Sequence, residues 1–406
     1  MLPIERRHAK ACLLTKSLCK ALLAWLPVGV LMLASCMLRW PESPPVVKQV
    51  ALADLDGDGF VDAVLANGRF GEPYSYPTQI RYQILYNDGT GRFDREGQLL
   101  EKQNHCSVAL GDLNGDNAID ALLGLTIRLN DGKGALQGLI YLGTDVTLGV
   151  FEGGAALADL NSDGHLDVFI ANCCGGVAFG RPSDPTLLPP HNLVFLNDGA
   201  GRFTATDQLL GKFGSYAVAL GDLNGDGYLD AFVVNGQTQI DTDRVVHNAP
   251  NTVWFNRGDG LFDDSLQRLG SLPSQAVALG DVNGDGYLDA VVGNDGNDEI
   301  WLNDGQGFFH DSGDQLANDL TKEVFLADLD GNSSLDLVTA GETVARVWMN
   351  DGSGHFTDSG QTIRFGKHDA VALADLDNDG VPDLFVAGIN VYAAWFNDGH
   401  GRLEQR

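Results

Sequence analysis

Glutamate is scarce in this 406-residue chain, where ten Glu stand beside 45 Asp. Glu favours helix interiors, whereas Asp competes for backbone hydrogen bonds and settles at caps and turns, so the imbalance argues against a helical protein. Basic residues are also few, 26 Lys and Arg against 55 acids. The resulting charge of −29 speaks against nucleic acid or an anionic membrane surface, which need clustered cations. Divalent cations and basic surfaces are left as partners. Gly-x-Ser-x-Gly and His-Glu-x-x-His are both absent, and the nine His are dispersed, which counts against an enzyme. The six Cys show no zinc-site spacing. With 44% hydrophobic residues the chain can still bury a large core.

Long apolar runs are missing except near the start. Arg6, Arg7, Lys10, Lys16 and Lys20 precede an apolar run from Ala21 to Ala34, the pattern of an export signal. Leu33-Ala34-Ser35-Cys36 resembles the bacterial lipobox, which implies cleavage before Cys36 and lipidation of that residue. Residues 1–36 are thus expected to be a signal peptide and 37–47, rich in Pro, a short tether. An uncleaved anchor is the alternative, since the 18 uncharged residues from Ala21 to Leu38 sit at the lower limit of a membrane span. Either way the remainder is exported and membrane-anchored, at the cell surface or in the periplasm. There Cys106, Cys173 and Cys174 are left, and a bridge from Cys106 to the vicinal pair and free thiols both stay open.

From residue 48 onward a nine-residue element recurs seven times, most clearly as Asp54-Leu-Asp56-Gly-Asp58-Gly-Phe-Val-Asp62. Copies start at Asp112, Asp159, Asp222, Asp281, Asp328 and Asp375, each between short apolar runs that read as buried strands. A second element, Asn-Asp-Gly-x-Gly-x-Phe, also occurs seven times, at Asn87, Asn130, Asn197, Asn256, Asn303, Asn350 and Asn397, with Arg257 replacing Asp in the fourth copy and Leu the final Phe in the second and seventh, and is a hairpin signal. Each unit is therefore strand, Asp loop, strand, connection, strand, turn, strand. Seven four-stranded units of 47 to 63 residues predict an all-β seven-bladed β-propeller, with an open solenoid as the alternative. Trp254, Trp301, Trp348 and Trp395, each two residues before the turn Asn, are expected to pack between blades.

Three or four carboxylates within nine residues cannot converge unaided. Two unit charges about 4 Å apart near a surface repel by roughly 4 kcal/mol, so a cation belongs among them. Oxygen ligands at positions 1, 3 and 5, a backbone carbonyl at 7 and a later carboxylate form a calcium pattern, with Gly at position 6 for the turn. An EF-hand would need Glu at position 12, where Leu65, Leu123, Ile170, Val233, Val292, Thr339 and Val386 stand instead. The last carboxylate falls at position 9, before a strand. This motif resembles the FG-GAP and VCBS repeats of integrin α-subunit propellers and bacterial surface proteins, over residues 48–406, with Phe213-Gly214 and Phe365-Gly366 matching the first half of the name. The resemblance implies a calcium-binding seven-bladed propeller.

Carried over by position, the implied ligands of the first site are Asp54, Asp56, Asp58 and Asp62, and of the second Asp112, Asn114, Asp116 and Asp120. Those of the third are Asp159, Asn161, Asp163 and Asp167, and of the fourth Asp222, Asn224, Asp226 and Asp230. The fifth has Asp281, Asn283, Asp285 and Asp289, the sixth Asp328, Asp330, Asn332 and Asp336, and the seventh Asp375, Asp377, Asp379 and Asp383. Up to seven Ca2+ are expected, most weakly in the sixth loop, where Asn332 removes a carboxylate and Ser333 replaces the position-6 Gly. The second loop has Asn117 at that Gly position.

Unit lengths differ almost entirely between the second and third strands, at about 67–80, 172–192 and 235–251. In the family topology these connections lie opposite the calcium loops. Their adaptable groups are Tyr74, Tyr76, Arg181, His191, Asp241, Asp243, Arg244 and His247. Binding usually resides in loops on a rigid scaffold. The expectation is a non-catalytic surface or adhesion module for a glycan or extracellular protein. The alternatives are an exported polysaccharide-active enzyme such as a lyase, or an architectural subunit of a surface complex.

Overall fold

The computed structural model describes residues 45–406 apart from 72–74, 78–79, 94, 101–106, 143–151, 174–189, 241–245, 368 and 389–390. The signal peptide with Cys36, most of the tether, and Cys106 and Cys174 with the bridge expected of them lie outside the described residues. So do Tyr74, Arg181, Asp241, Asp243 and Arg244, and the side chains of Tyr76 and His247. All seven repeats belong to one unit, Ser43–Arg406.

Every repeat becomes one antiparallel sheet. In the first, Pro45–Ala53 pairs with Asp62–Gly71, then Arg81–Tyr86, then Arg95–Leu99. The order recurs through to the seventh, Ala370–Ala374, Asp383–Gly388, Val391–Asn397 and Leu403–Gln405. In the fifth, the second and third strands are one run, Asp289–Asn303, which turns at Asn294–Asp298. The second strands are covered on both faces, and Asp167–Asn172 is buried at every residue. That is why they read as continuous rather than alternating apolar runs. The fourth strands of the third, fourth and seventh blades, Phe203–Ala205, Phe262–Asp264 and Leu403–Gln405, are only three residues long, which blunts edge-to-edge pairing there.

First strands of successive blades pack against one another all the way round, the seventh against the first included. The fold is thus a closed, all-β, seven-bladed propeller, with no helix among the described residues. Its apolar side chains do not form one core but seven clusters, one in each seam between blades. Trp254, Trp301, Trp348 and Trp395 each sit in such a seam, as their spacing predicts. The last seam uses no exchanged strand, since the seventh blade takes all four strands from residues 370–405. Phe93 of the first blade packs on Phe385 of the seventh with centroids 4.4 Å apart, and Asn378 Nδ2 donates to Gly59 O at 2.9 Å.

At the far ends of the second strands, neighbouring blades repeat one polar device. The Asn172 N–H donates to Asn192 Oδ1, that of Asn235 to Asn251 Oδ1, and that of Asn294 to Asp298 Oδ1. Asp298 thus fills an Asn position. It is fully buried, its other oxygen accepts from Thr321 Oγ1 at 2.8 Å, and burial, with nearby Asp319, pushes its carboxyl up to about 7 against the opposing Arg346. A carboxyl raised in the folded state stabilises at low pH, and that contribution is lost as pH rises through the folded value. Asp298→Asn is therefore expected to raise stability on the order of 1–2 kcal/mol at pH 8 and to change it little at pH 4, in thermal melts across that range.

Candidate functional site

Within each Asp loop the first carboxylate is a hub. Asp54 Oδ1 accepts from the Gly57 N–H at 2.8 Å and Oδ2 from that of Gly59 at 2.9 Å, and Asp222 and Asp281 repeat the pattern. Aiming two N–H groups inward requires left-handed backbone at positions 4 and 6. Position 4 has φ of 76° at Gly57 but 61° at Ser162 and 57° at Asn378, and position 6 has 91° at Gly59 but 67° at Asn117 and 69° at Ser333. The need at position 4 went unread in the sequence, although Gly in five of seven copies signals it. The position-5 carboxylate accepts the N–H of position 7, as from Phe60 to Asp58 at 3.0 Å.

The ninth position is different. Asp62, Asp120, Asp167, Asp230, Asp289, Asp336 and Asp383 are all fully buried. In every copy Oδ2 accepts the N–H of position 2 at 2.9–3.1 Å. Oδ1 accepts the N–H of the turn Asn at 2.7–2.9 Å. Burial, and after it the neighbouring loop carboxylates, push Asp62, Asp120, Asp230, Asp289 and Asp383 up to about 6 and raise Asp167 and Asp336 as well. A cation among the carboxylates would oppose that rise.

The turn Asn carries the contact onward. Its Nδ2 donates at 2.8–2.9 Å to the position-2 carbonyl of the preceding blade's loop, from Asn130 to Leu55 around to Asn87 and Leu376. Loops and turns therefore interleave on one face. A further clamp was also missed in the sequence. Gln98, Gln208, Gln267 and Gln361, each five residues past the Phe or Leu that ends a turn motif, accept the N–H of Leu136, Phe262, Phe309 and Leu403 in the next blade. At one seam His355 Nδ1 and Asp314 Oδ2, 2.9 Å apart, take over that link.

Carboxylate oxygens gather within 4.8 Å in three loops: Asp54, Asp56 and Asp58; Asp328, Asp330 and Asp336; Asp375, Asp377 and Asp383. These loops have Asp at position 3. In the other four, the position-3 amide of Asn114, Asn161, Asn224 or Asn283 donates to the position-5 carboxylate at 2.9–3.0 Å, which relieves repulsion without an ion. The donor sets fit a hard divalent cation, being all oxygen and anionic. A buried Asp377 Oδ1 without a hydrogen-bond donor supports the fit, while Asp377 Oδ2 accepts from Arg406 at 3.0 Å. In the sixth loop Asn332 is drawn toward its own turn, its Nδ2 donating to Asn350 O at 3.2 Å. Ser333→Gly should relieve about 1 kcal/mol of left-handed strain there, seen as a higher melting temperature, whereas Gly227→Ser should lower it.

Comparisons with known proteins agree with this construction. The model of the FG-GAP-like repeat matches residues 54–123, 159–233, 281–339 and 328–386. Integrin alpha pat-2 of Caenorhabditis briggsae is 31% identical over 224 residues, 46% of this chain but only 17% of the integrin. Among solved structures, a periplasmic gluconolactonase of Pseudomonas aeruginosa aligns at 12% identity over 80% of this chain and 85% of its own, with a TM-score of 0.52. An Agrocybe aegerita lectin that recognises non-reducing terminal N-acetylglucosamine aligns at 20% identity over 88% and 92%, with a TM-score of 0.47. At 12% identity the gluconolactonase speaks to fold alone. With its matches covering more than half the sequence and its seven loops in register, the chain belongs to the FG-GAP-like repeat family.

Proposed function

We propose that this protein is an exported, calcium-stabilised propeller that acts as a non-catalytic surface module, binding a glycan or extracellular protein through the face opposite the Asp loops. One observation carries the reading. Five of the six intervals from a turn Asn to the next first Asp are 25 residues long, whereas the intervals across the far-face connections run from 18 to 38. A scaffold held constant on one face and varied on the other is the arrangement of a binding protein. The variation is built there: Ser75–Pro77 adds a short strand against Asp62–Gly71, and Gln237–Ile240 pairs with Val246–Asn248 as a separate ribbon. His191, whose Nδ1 contacts Gly211 O, stands at the edge of the third connection. Lipidation at Cys36, or an uncleaved anchor, would hold the ring at a membrane.

Calcium is assigned a structural part. Asp54, Asp56, Asp58 and Asp62, with the Phe60 carbonyl, would hold it in the first loop, and the corresponding residues in the others. Bound there, the ion supplies charge neutralisation and ties the strand before the loop to the strand after it. Ligand that binds only the folded state adds about 2.7 kcal/mol per site at a hundredfold excess over Kd. Excess Ca2+ should therefore raise the melting temperature well above that in EDTA, and Asp54→Asn should reduce the gain; equal melting with and without Ca2+ would contradict a structural ion.

Binding is tested by probing glycan and extracellular-protein arrays with the calcium-loaded protein and with a variant in which 174–189 is replaced by a short Gly-Ser linker. Asn172 and Asn192 are kept because both are buried in the blade. The variant is expected to lose the ligand and keep the calcium-dependent melting gain. Turnover of a bound glycan would point to the exported lyase instead, and an absence of any hit to the architectural subunit.

A further inference from the structure

The loop face also carries an unusual sector. Tyr228, Tyr287 and Phe308 are large apolar residues left 38%, 47% and 48% exposed. Tyr228 and Tyr287 hold position 7 of the fourth and fifth loops, and Phe308 lies on the fifth turn, where its N–H meets Asp304 Oδ1. All three border the fourth loop. A side chain at Gly258 would strike the Tyr228 ring at 2.5 Å, and one at Gly305 the Tyr287 ring at the same distance. One at Gly225, within the fourth loop, would stand 3.9 Å from Gly305 O. Phe308 meets Phe255 edge-on at 6.2 Å, and the Phe255 ring lies over Gly307 beside Asn224.

Charge sets this sector apart from the rest of the face. The turn position of Phe308 is Arg92, Arg202, His355 and Arg402 in four other blades and Ala135 in the second, whose turn carries Lys133 two residues earlier, but Leu261 and Phe308 in the fourth and fifth. The one local cation on the fourth turn, Arg257, is paired with Asp263 of its own blade. Acids remain, and Asp259 and Asp304 belong to turns rather than loops, so ions in the loops would leave them charged.

We propose that blades four and five of the loop face form a docking surface for an arginine-containing basic segment of a partner protein. A guanidinium can stack on an aromatic ring while donating to a neighbouring carboxylate, which uses both properties of the sector at once. A lysine uses the charge but stacks poorly, and an uncharged saccharide uses the rings but not the charge. The surface is separate from the far-face connections, so the proposal stands or falls apart from the binding role given to them.

The test titrates calcium-saturated protein with a labelled Gly-Arg repeat peptide and a Gly-Lys repeat of equal charge. The Arg peptide is expected to bind about five times more tightly, with an affinity that falls as salt rises. Combined Tyr228→Ala, Tyr287→Ala and Phe308→Ala should weaken it about tenfold without lowering the melting temperature. Tyr228→Phe with Tyr287→Phe should leave it unchanged, and so should the 174–189 replacement. Equal affinity for the two peptides, binding unaffected by the triple substitution, or displacement of the peptide by an uncharged oligosaccharide would overturn the proposal.

Discussion

A carboxylate taken fully out of water is among the costliest groups a fold can bury, and this protein buries the same one in every blade. Each is tolerated because its two oxygens accept two backbone N–H groups, one from its own loop and one from the turn that ends the third strand. The turn Asn that supplies the second then reaches back to the preceding blade's loop. Loop shape, hairpin register and blade-to-blade placement are thus one hydrogen-bonded system running around the ring. The spacing from turn to next loop is 25 residues in five of six intervals, and the 29 residues from Asn130 to Asp159 leave the bonds on both sides intact, so the extra length is taken up between the bonded points.

That system explains what was legible in the sequence and what was not. The fold was written in the Asp loops and Asn-Asp-Gly turns, since residues that accept left-handed backbone and converge acidic groups are sparse alternatives at such sites. The clamps by Gln98, Gln208, Gln267 and Gln361 were not, because a Gln on or just past an outer strand looks like any solvent-facing polar residue until the next blade is stacked against it. Among the loops, the candidate ligands could be named by position, but their convergence hinges on position 3. Asp there leaves carboxylates facing each other, as with Asp328, Asp330 and Asp336, whereas Asn161 bonds to Asp163 and relieves them. Asp298 was invisible for the opposite reason, because only its overlay on Asn192 and Asn251 marks it as an acid in an amide's place.

The two faces consequently answer to different pressures. On the loop face the ninth-position carboxylates and the turn Asn amides are committed to neighbours, and variety falls to side chains outside that network, such as the position-7 residues. On the far face the second and third strands meet through connections whose length varies from blade to blade, even where one, at Asp298, bonds to Thr321 ahead of the next blade. Buried polar pairs such as Asn235 with Asn251 close off the sheets just beneath, so an insertion can change without disturbing the seam below it.

The seventh seam has a consequence of its own. It is assembled from the parts used at the other six: an Asn amide on a loop carbonyl, the Phe or Leu that ends a turn motif set against the neighbouring sheet, and first-strand residues at the centre. Nothing in it depends on the chain passing from one side to the other, so the molecule has no preferred starting blade. A circularly permuted chain, opened at the outer connection of any other blade and joined across the present gap, would present the same seven seams to the same partners. Order along the polypeptide and order around the ring are, in this architecture, separable properties.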